Sequence, residues 1–171
     1  MIPVLLAALA AGVVVLVPLL LVFFVDRRLQ GANHDFWHPV AEFSEEVGRQ
    51  VPDGEVLATV DYPGVVAAYS GVRVLALDGL TADYAFQDDL RDRGSGCALA
   101  ERGVRWLIVE NSERLLPGPE GSPPGTYQVE MTSWLHRVSA GAVVVDRATD
   151  LVLDDPGADL SLWRIAPVCD E

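Results

Sequence analysis

The first charged side chain in this sequence is Asp26. Ahead of it runs MIPVLLAALAAGVVVLVPLLLVFFV, a stretch with nothing for water to solvate except backbone. At 1.5 Å per residue, residues 2–25 make about 36 Å of helix, enough to cross a hydrocarbon core about 30 Å thick. Pro3 falls in the first turn, where a missing N–H is harmless, whereas Pro18 is internal and kinks the span. A cleaved signal peptide wants a basic start, a shorter apolar run and a small-x-small cleavage site. Nothing basic precedes this run, and it ends Val-Phe-Phe-Val-Asp-Arg-Arg. Residues 1–28 are therefore read as a retained single-pass membrane helix with its flank. Taken alone, Arg27 and Arg28 draw the rest of the chain toward the cytoplasm. Further membrane helices, in a longer parent protein or in a partner, would override that vote.

The chain beyond the span, roughly 140 residues, has the size of one ordinary domain. The net charge of −13 excludes nucleic acid as a partner, since phosphate recognition needs a basic face. All twelve basic residues are Arg, which, with the abundance of Ala, Val, Gly and Asp, fits a GC-rich bacterial genome. Two cysteines, Cys97 and Cys169, lie beyond the apolar segment. In a domain held outside the cytoplasm they can pair, closing a loop that stabilises by about 4 kcal/mol in the chain-entropy model. Two reduced, partly buried thiols are the other open reading.

Residues 29–54 form a connector and an amphipathic helix. Phe36, Trp37, Val40, Phe43 and Val47 fall on one side of a helix that Asp35 is placed to cap and Val51-Pro52-Asp53-Gly54 ends. Residues 55–171 are expected to be a small two- or three-layer α/β domain. Glu55–Val60, Val72–Leu77 and Val104–Val109 read as strands. Helical stretches at 65–70, 81–93 and 97–102 separate them, giving a β-α-β-α-β start with a parallel first pair. LPGPEGSPPG, residues 116–125, is an exposed loop. Tyr127–Met131, Ala142–Asp146 and Ser161–Ile165 are short β-type runs, expected as a meander added to the same sheet.

Most catalytic and cofactor chemistries find no motif. The loop after the first strand, Asp61-Tyr62-Pro63-Gly64, lacks the glycine spacing of a dinucleotide or phosphate loop. Tyr69-Ser70-Gly71 is no nucleophile elbow. His34 and His38 read as surface histidines near a helix start, with no third ligand nearby, and His136 is isolated. Asp146, Asp150, Asp154, Asp155 and Asp159 read as a solvated acidic loop without the EF-hand pattern. No cofactor or metal is expected. The remaining candidates are at strand ends. Asp61 follows the first strand and Asp78 the second, and parallel strands bring both to one sheet edge, where open α/β folds bind ligands. Asp61, Tyr62 and Asp78 are the ligand-binding candidates. The competing reading has Asp61 capping a helix and Asp78 shaping a turn with Gly79.

DYPG (61–64), SGVRVLALDGLTADYAF (70–86) and GVRWLIVEN (103–111), in that order behind a membrane helix and Pro52-Asp53-Gly54, form a pattern. It resembles the last membrane helix and C-terminal extracytoplasmic domain of bacterial GT-C-type glycosyltransferases, which use polyprenyl-phosphate sugars. The resemblance covers roughly residues 4 to 111. It implies an extracytoplasmic module that contacts acceptor or braces a multi-span transferase in cell-envelope glycan assembly. Its implied partners are the membrane, such a transferase subunit, and a polyprenyl-phosphate sugar or glycan acceptor. In that family the catalytic carboxylate sits in a loop between early membrane helices. One span offers no such loop, so no catalytic residue is carried over, and the module is expected not to be catalytic alone. The other function class is a membrane-anchored binding or scaffolding module with no link to sugar transfer.

Overall fold

The computed structural model describes residues 37–78 and 84–169. The predicted span at 1–25, His34, Asp35 and Gly79 lie outside the described residues. Among the described residues, no helix is long and apolar enough to cross a membrane. The chain divides into two compact units, Met1–Pro39 and Val40–Glu171, and the second carries the sheets.

Five strands make the main sheet, in the order β2-β1-β3-β8-β7: β1 (Val56–Thr59), β2 (Arg73–Ala76), β3 (Val104–Glu110), β7 (Leu151–Asp155) and β8 (Leu160–Arg164). The first three are parallel, with Val56 opposite Arg73 and Thr59 opposite Ala76 and Ile108. β8 pairs antiparallel with β3, and β7 with β8. The crossovers are helices α2 (Pro63–Ser70) and α3 (Tyr84–Glu101), and a four-residue helix α4 (Asn111–Arg114) follows β3. A second, antiparallel sheet holds β4 (Leu115–Pro117), β5 (Thr126–Ser133) and β6 (Val138–Asp146), in the order β4-β5-β6.

Strand alternation splits the interior into two cores on opposite faces of the main sheet. On one face Leu57, Trp106, Ile108, Leu160 and Leu162 meet Val66 of α2 and Val40, Phe43 and Val47 of helix α1 (residues 37–50). The 40/43/47 spacing is the one-sided pattern that makes α1 an amphipathic helix. Gly48 lets α1 close on the end of α2, because a Cβ there would lie 2.4 Å from the Ser70 carbonyl oxygen. On the other face Ala58, Leu107, Val109 and Trp163 meet Phe86, Leu90 and Leu99 of α3 and Val129, Met131 and Val145 of the second sheet. The arrangement is three-layered: helices, mixed sheet, then α3 beside a small sheet.

Three local expectations need correction. The late strands are not one meander added to the first sheet. β8 is buried at Leu160, Ser161, Leu162 and Trp163, so it suits a sheet interior, and it lies beside β3. β5 and β6 bury only alternate positions, so they form a covering layer of their own. The acidic segment is not all loop, since Asp154 and Asp155 belong to β7. Their carboxylates work locally: Asp154 accepts from Asn111 at 3.1 Å, and Asp155 Oδ1 accepts from the Gly157 and Ala158 amides at 2.8 and 3.1 Å. Third, Leu116 and Pro117, read as loop, lie in β4. The helical stretches read at 81–93 and 97–102 meet in α3, where Gly94, with a φ of 78° that glycine alone adopts without strain, separates two helices.

Candidate functional site

The chain leaves β1 through a turn that several backbone bonds hold in place. Leu77 N–H donates to the Thr59 carbonyl at 2.8 Å, carrying the β1–β2 pairing past its last ladder position. Thr59 Oγ1 donates to the Asp61 carbonyl at 2.8 Å, fixing the loop one residue farther on. Tyr62 then takes a left-handed conformation, φ 56° and ψ 34°, and Pro63 starts α2. The Tyr62 carbonyl accepts from Val66 N–H at 2.9 Å, but no side chain caps this helix. Asp61 is engaged elsewhere. Arg114, in α4, grips it with Nε at 2.8 Å and Nη2 at 3.2 Å, and both side chains are partly buried. This two-point pairing pushes the Arg114 guanidinium above its ordinary range.

The surroundings of this pair are acidic. Burial pushes the Tyr62 phenol up first, and the charges of Glu110, Asp61, Glu113 and Asp159 add to the shift. The Glu110 carboxyl is also raised, by burial first and then by Asp61, Glu113 and Asp159, with Arg114 opposing. In both groups the surroundings oppose ionisation.

The facing side is the turn between β5 and β6, residues 134–137. Ser133 Oγ donates to the Gln87 carbonyl at 2.8 Å, Leu135 N–H reaches Gln87 Oε1 at 3.4 Å, and His136 Nε2 lies 2.7 Å from Asp88 Oδ1. These bonds fasten the turn to α3. Arg137 has a left-handed φ of 55°. Trp134 and Leu135 are each 46% exposed.

Between the two sides lies a cleft of about 880 Å³. Val60, Asp61, Tyr62 and Asp78 line it from the carboxyl ends of β1 and β2, and Arg114 from α4. Thr132, Trp134, Leu135 and Arg137 line it from the hairpin. The three ligand candidates read from sequence thus stand in one cavity. Tyr62 and Arg137 are two of three described non-glycine residues with positive φ, the third being Asp159. Such conformations cost about 1–3 kcal/mol and gather at functional sites.

Cys97 and Cys169 line no part of this cleft. They form a disulfide, with Cα atoms 4.1 Å apart and 72 positions between them in sequence. Sequence reasoning missed Arg114, Trp134, Leu135 and Arg137. One signal was available: Trp-Leu-His-Arg joins two strands without a single Gly, Pro, Asn or Asp, so bulky groups occupy a turn that propensity would not give them.

No family model matches the chain, and no curated protein matches it in sequence. Among solved structures, it is similar to the C-terminal globular domain of an oligosaccharyltransferase from Archaeoglobus fulgidus. The identity is 15% and the TM-score 0.39, over 77% of this chain and 97% of that domain, and no residue role is transferred from it.

Proposed function

We propose that this protein is a membrane-anchored, extracytoplasmic module of cell-envelope glycan assembly, related to the terminal domain of lipid-linked-sugar glycosyltransferases. Alone it is a recognition and bracing element, and a multi-span transferase supplies the chemistry. The observation that carries the reading is the cleft at the carboxyl edge of β1 and β2. Asp61, Tyr62 and Asp78, which belong to the family-like motifs, meet there, and two lining residues hold strained backbone. The grip of Arg114 on Asp61 suits a positioning role better than proton transfer. The disulfide supports the compartment, because such bonds persist where the surroundings are oxidising.

Thiol labelling of the full chain in intact bacteria, with a membrane-impermeant maleimide, tests the reading. Cys97 and Cys169 should label only after reduction, with no need for lysis. Labelling that requires lysis but no reductant would put the domain in the cytoplasm with free thiols, and the reading would be lost.

A further inference from the structure

We infer that the cleft is a saccharide subsite, in which the Trp134 ring stacks on an uncharged pyranose and Asp61, Asp78 and Arg137 bind its hydroxyls. The assignment rests on the proposed module and names what its cleft takes. A pyranose has an apolar C–H face and a rim of hydroxyls. The cleft offers the same division, with Val60, Trp134 and Leu135 as the apolar part and charged groups beside it. Carboxylates accept from hydroxyls, and a guanidinium donates to hydroxyl and ring oxygens. Arg114 is committed to Asp61 and holds one carboxylate oxygen pair in a fixed direction. Arg137 lines the cavity and makes no ion pair or side-chain hydrogen bond among the described residues, so its five donors are not committed within the fold.

Other ligand classes fit less well. A lipid tail would take the Asp61–Arg114 pair out of water and set the Arg137 guanidinium against hydrocarbon. A phosphate would meet Arg137 but also the carboxylates of Asp61 and Asp78, which line the same cavity. Two carboxylates and two guanidiniums line the cavity, a balance of charge that suits an uncharged ring. The left-handed backbone at Tyr62 and Arg137 points the same way. Glycine would relieve both positions, yet large polar side chains stand there and line the cavity.

An uncharged ring arrives either as part of an acceptor glycan or as the sugar of a phosphorylated carrier; the assignment is to the acceptor glycan, and the test separates the two. The full chain in phosphatidylcholine nanodiscs is titrated calorimetrically with mannobiose, cellobiose, N,N′-diacetylchitobiose and mannose 1-phosphate. At least one disaccharide should bind, and more tightly than the sugar phosphate. Trp134→Ala should weaken it about tenfold, with Trp134→Phe recovering most of the loss. A thermal melt of each variant checks folding. No heat from any disaccharide, affinity unmoved by Trp134→Ala, or tighter binding of the sugar phosphate each overturns the assignment. Failure here with thiols that label only after reduction removes the saccharide subsite and spares the module. Labelling that demands lysis removes the module whatever the titration shows.

Discussion

The two sides of the cleft are built on opposite principles. The β1–β2 side hangs from the parallel strands of the main sheet, with β2 at its edge and β1 inside it beside β3, where Leu57, Ala58 and Leu107 are fully buried. Its ligand-facing groups are tied by charge, Asp61 to Arg114, within an acidic surround. The hairpin side stands on a sheet buried on one face only, and it presents exposed Trp134 and Leu135 on a turn fastened by hydrogen bonds to Gln87, Asp88 and Arg91 of α3. Both sides are tied by hydrogen bonds, but the first stands on the buried main sheet and the second on a covering layer. A ligand that touches both meets a rigid, electrically biased shelf and a lighter, aromatic flap.

That contrast makes the largest prediction. Leu107→Ala, at a fully buried site at the centre of β3, should destabilise by about 3 kcal/mol through lost transfer energy and the cavity left behind. Chemical denaturation measures it. A loss below about 1 kcal/mol would mean that the site collapses easily and that this shelf is not rigid.

The same contrast explains what was readable beforehand. β1, β2 and β3 are short apolar runs between clear punctuation, VPDG, DYPG, the Ser-Gly before β2 and the Arg-Gly before β3, so their existence and parallel order could be read locally. The candidates at their ends came with them. β7 could not be read, because Leu-Val-Leu-Asp-Asp is an edge strand whose last two residues look like loop. Nor could the other side of the cleft. Arg114 meets Asp61 across 53 positions, and the hairpin turn is shaped by contacts with α3 some 45 to 48 positions away. Pairing over such distances leaves no periodic trace. Arg137 even takes a backbone conformation that its own propensity opposes.

A smaller effect tests whether the shelf is electrically biased. Glu110 holds its proton more tightly in the folded protein, through burial and through Asp61, Glu113 and Asp159. Its ionisation therefore works against folding. The penalty is absent below the ordinary value of about 4.5, grows as pH rises, and is complete above the raised folded value. Glu110→Gln should raise the Tm at neutral pH, with the gap closing as pH falls below that ordinary value. A gap that stays constant across the range would assign the effect to packing and leave the acidic surround without energetic weight.

The smallest effect carries the opposite sign from most mutations and bears on the hairpin. Arg137 is exposed, makes no ion pair or side-chain hydrogen bond among the described residues, and sits at φ 55°. Arg137→Gly removes steric strain at the left-handed position, and the unfolded chain gains freedom that offsets part of the benefit. The balance should be a gain of about 0.5 kcal/mol, read as a small rise in denaturation midpoint with unchanged slope. Disaccharide affinity should fall in the same variant. Stability and binding moving in opposite directions is the signature of a side chain kept for a ligand at the expense of its own backbone. If both fall, Arg137 packs in the fold and the flap is as structural as the shelf. If stability rises and binding holds, the strain is incidental, and the cleft's recognition rests on Trp134 and the carboxylates alone.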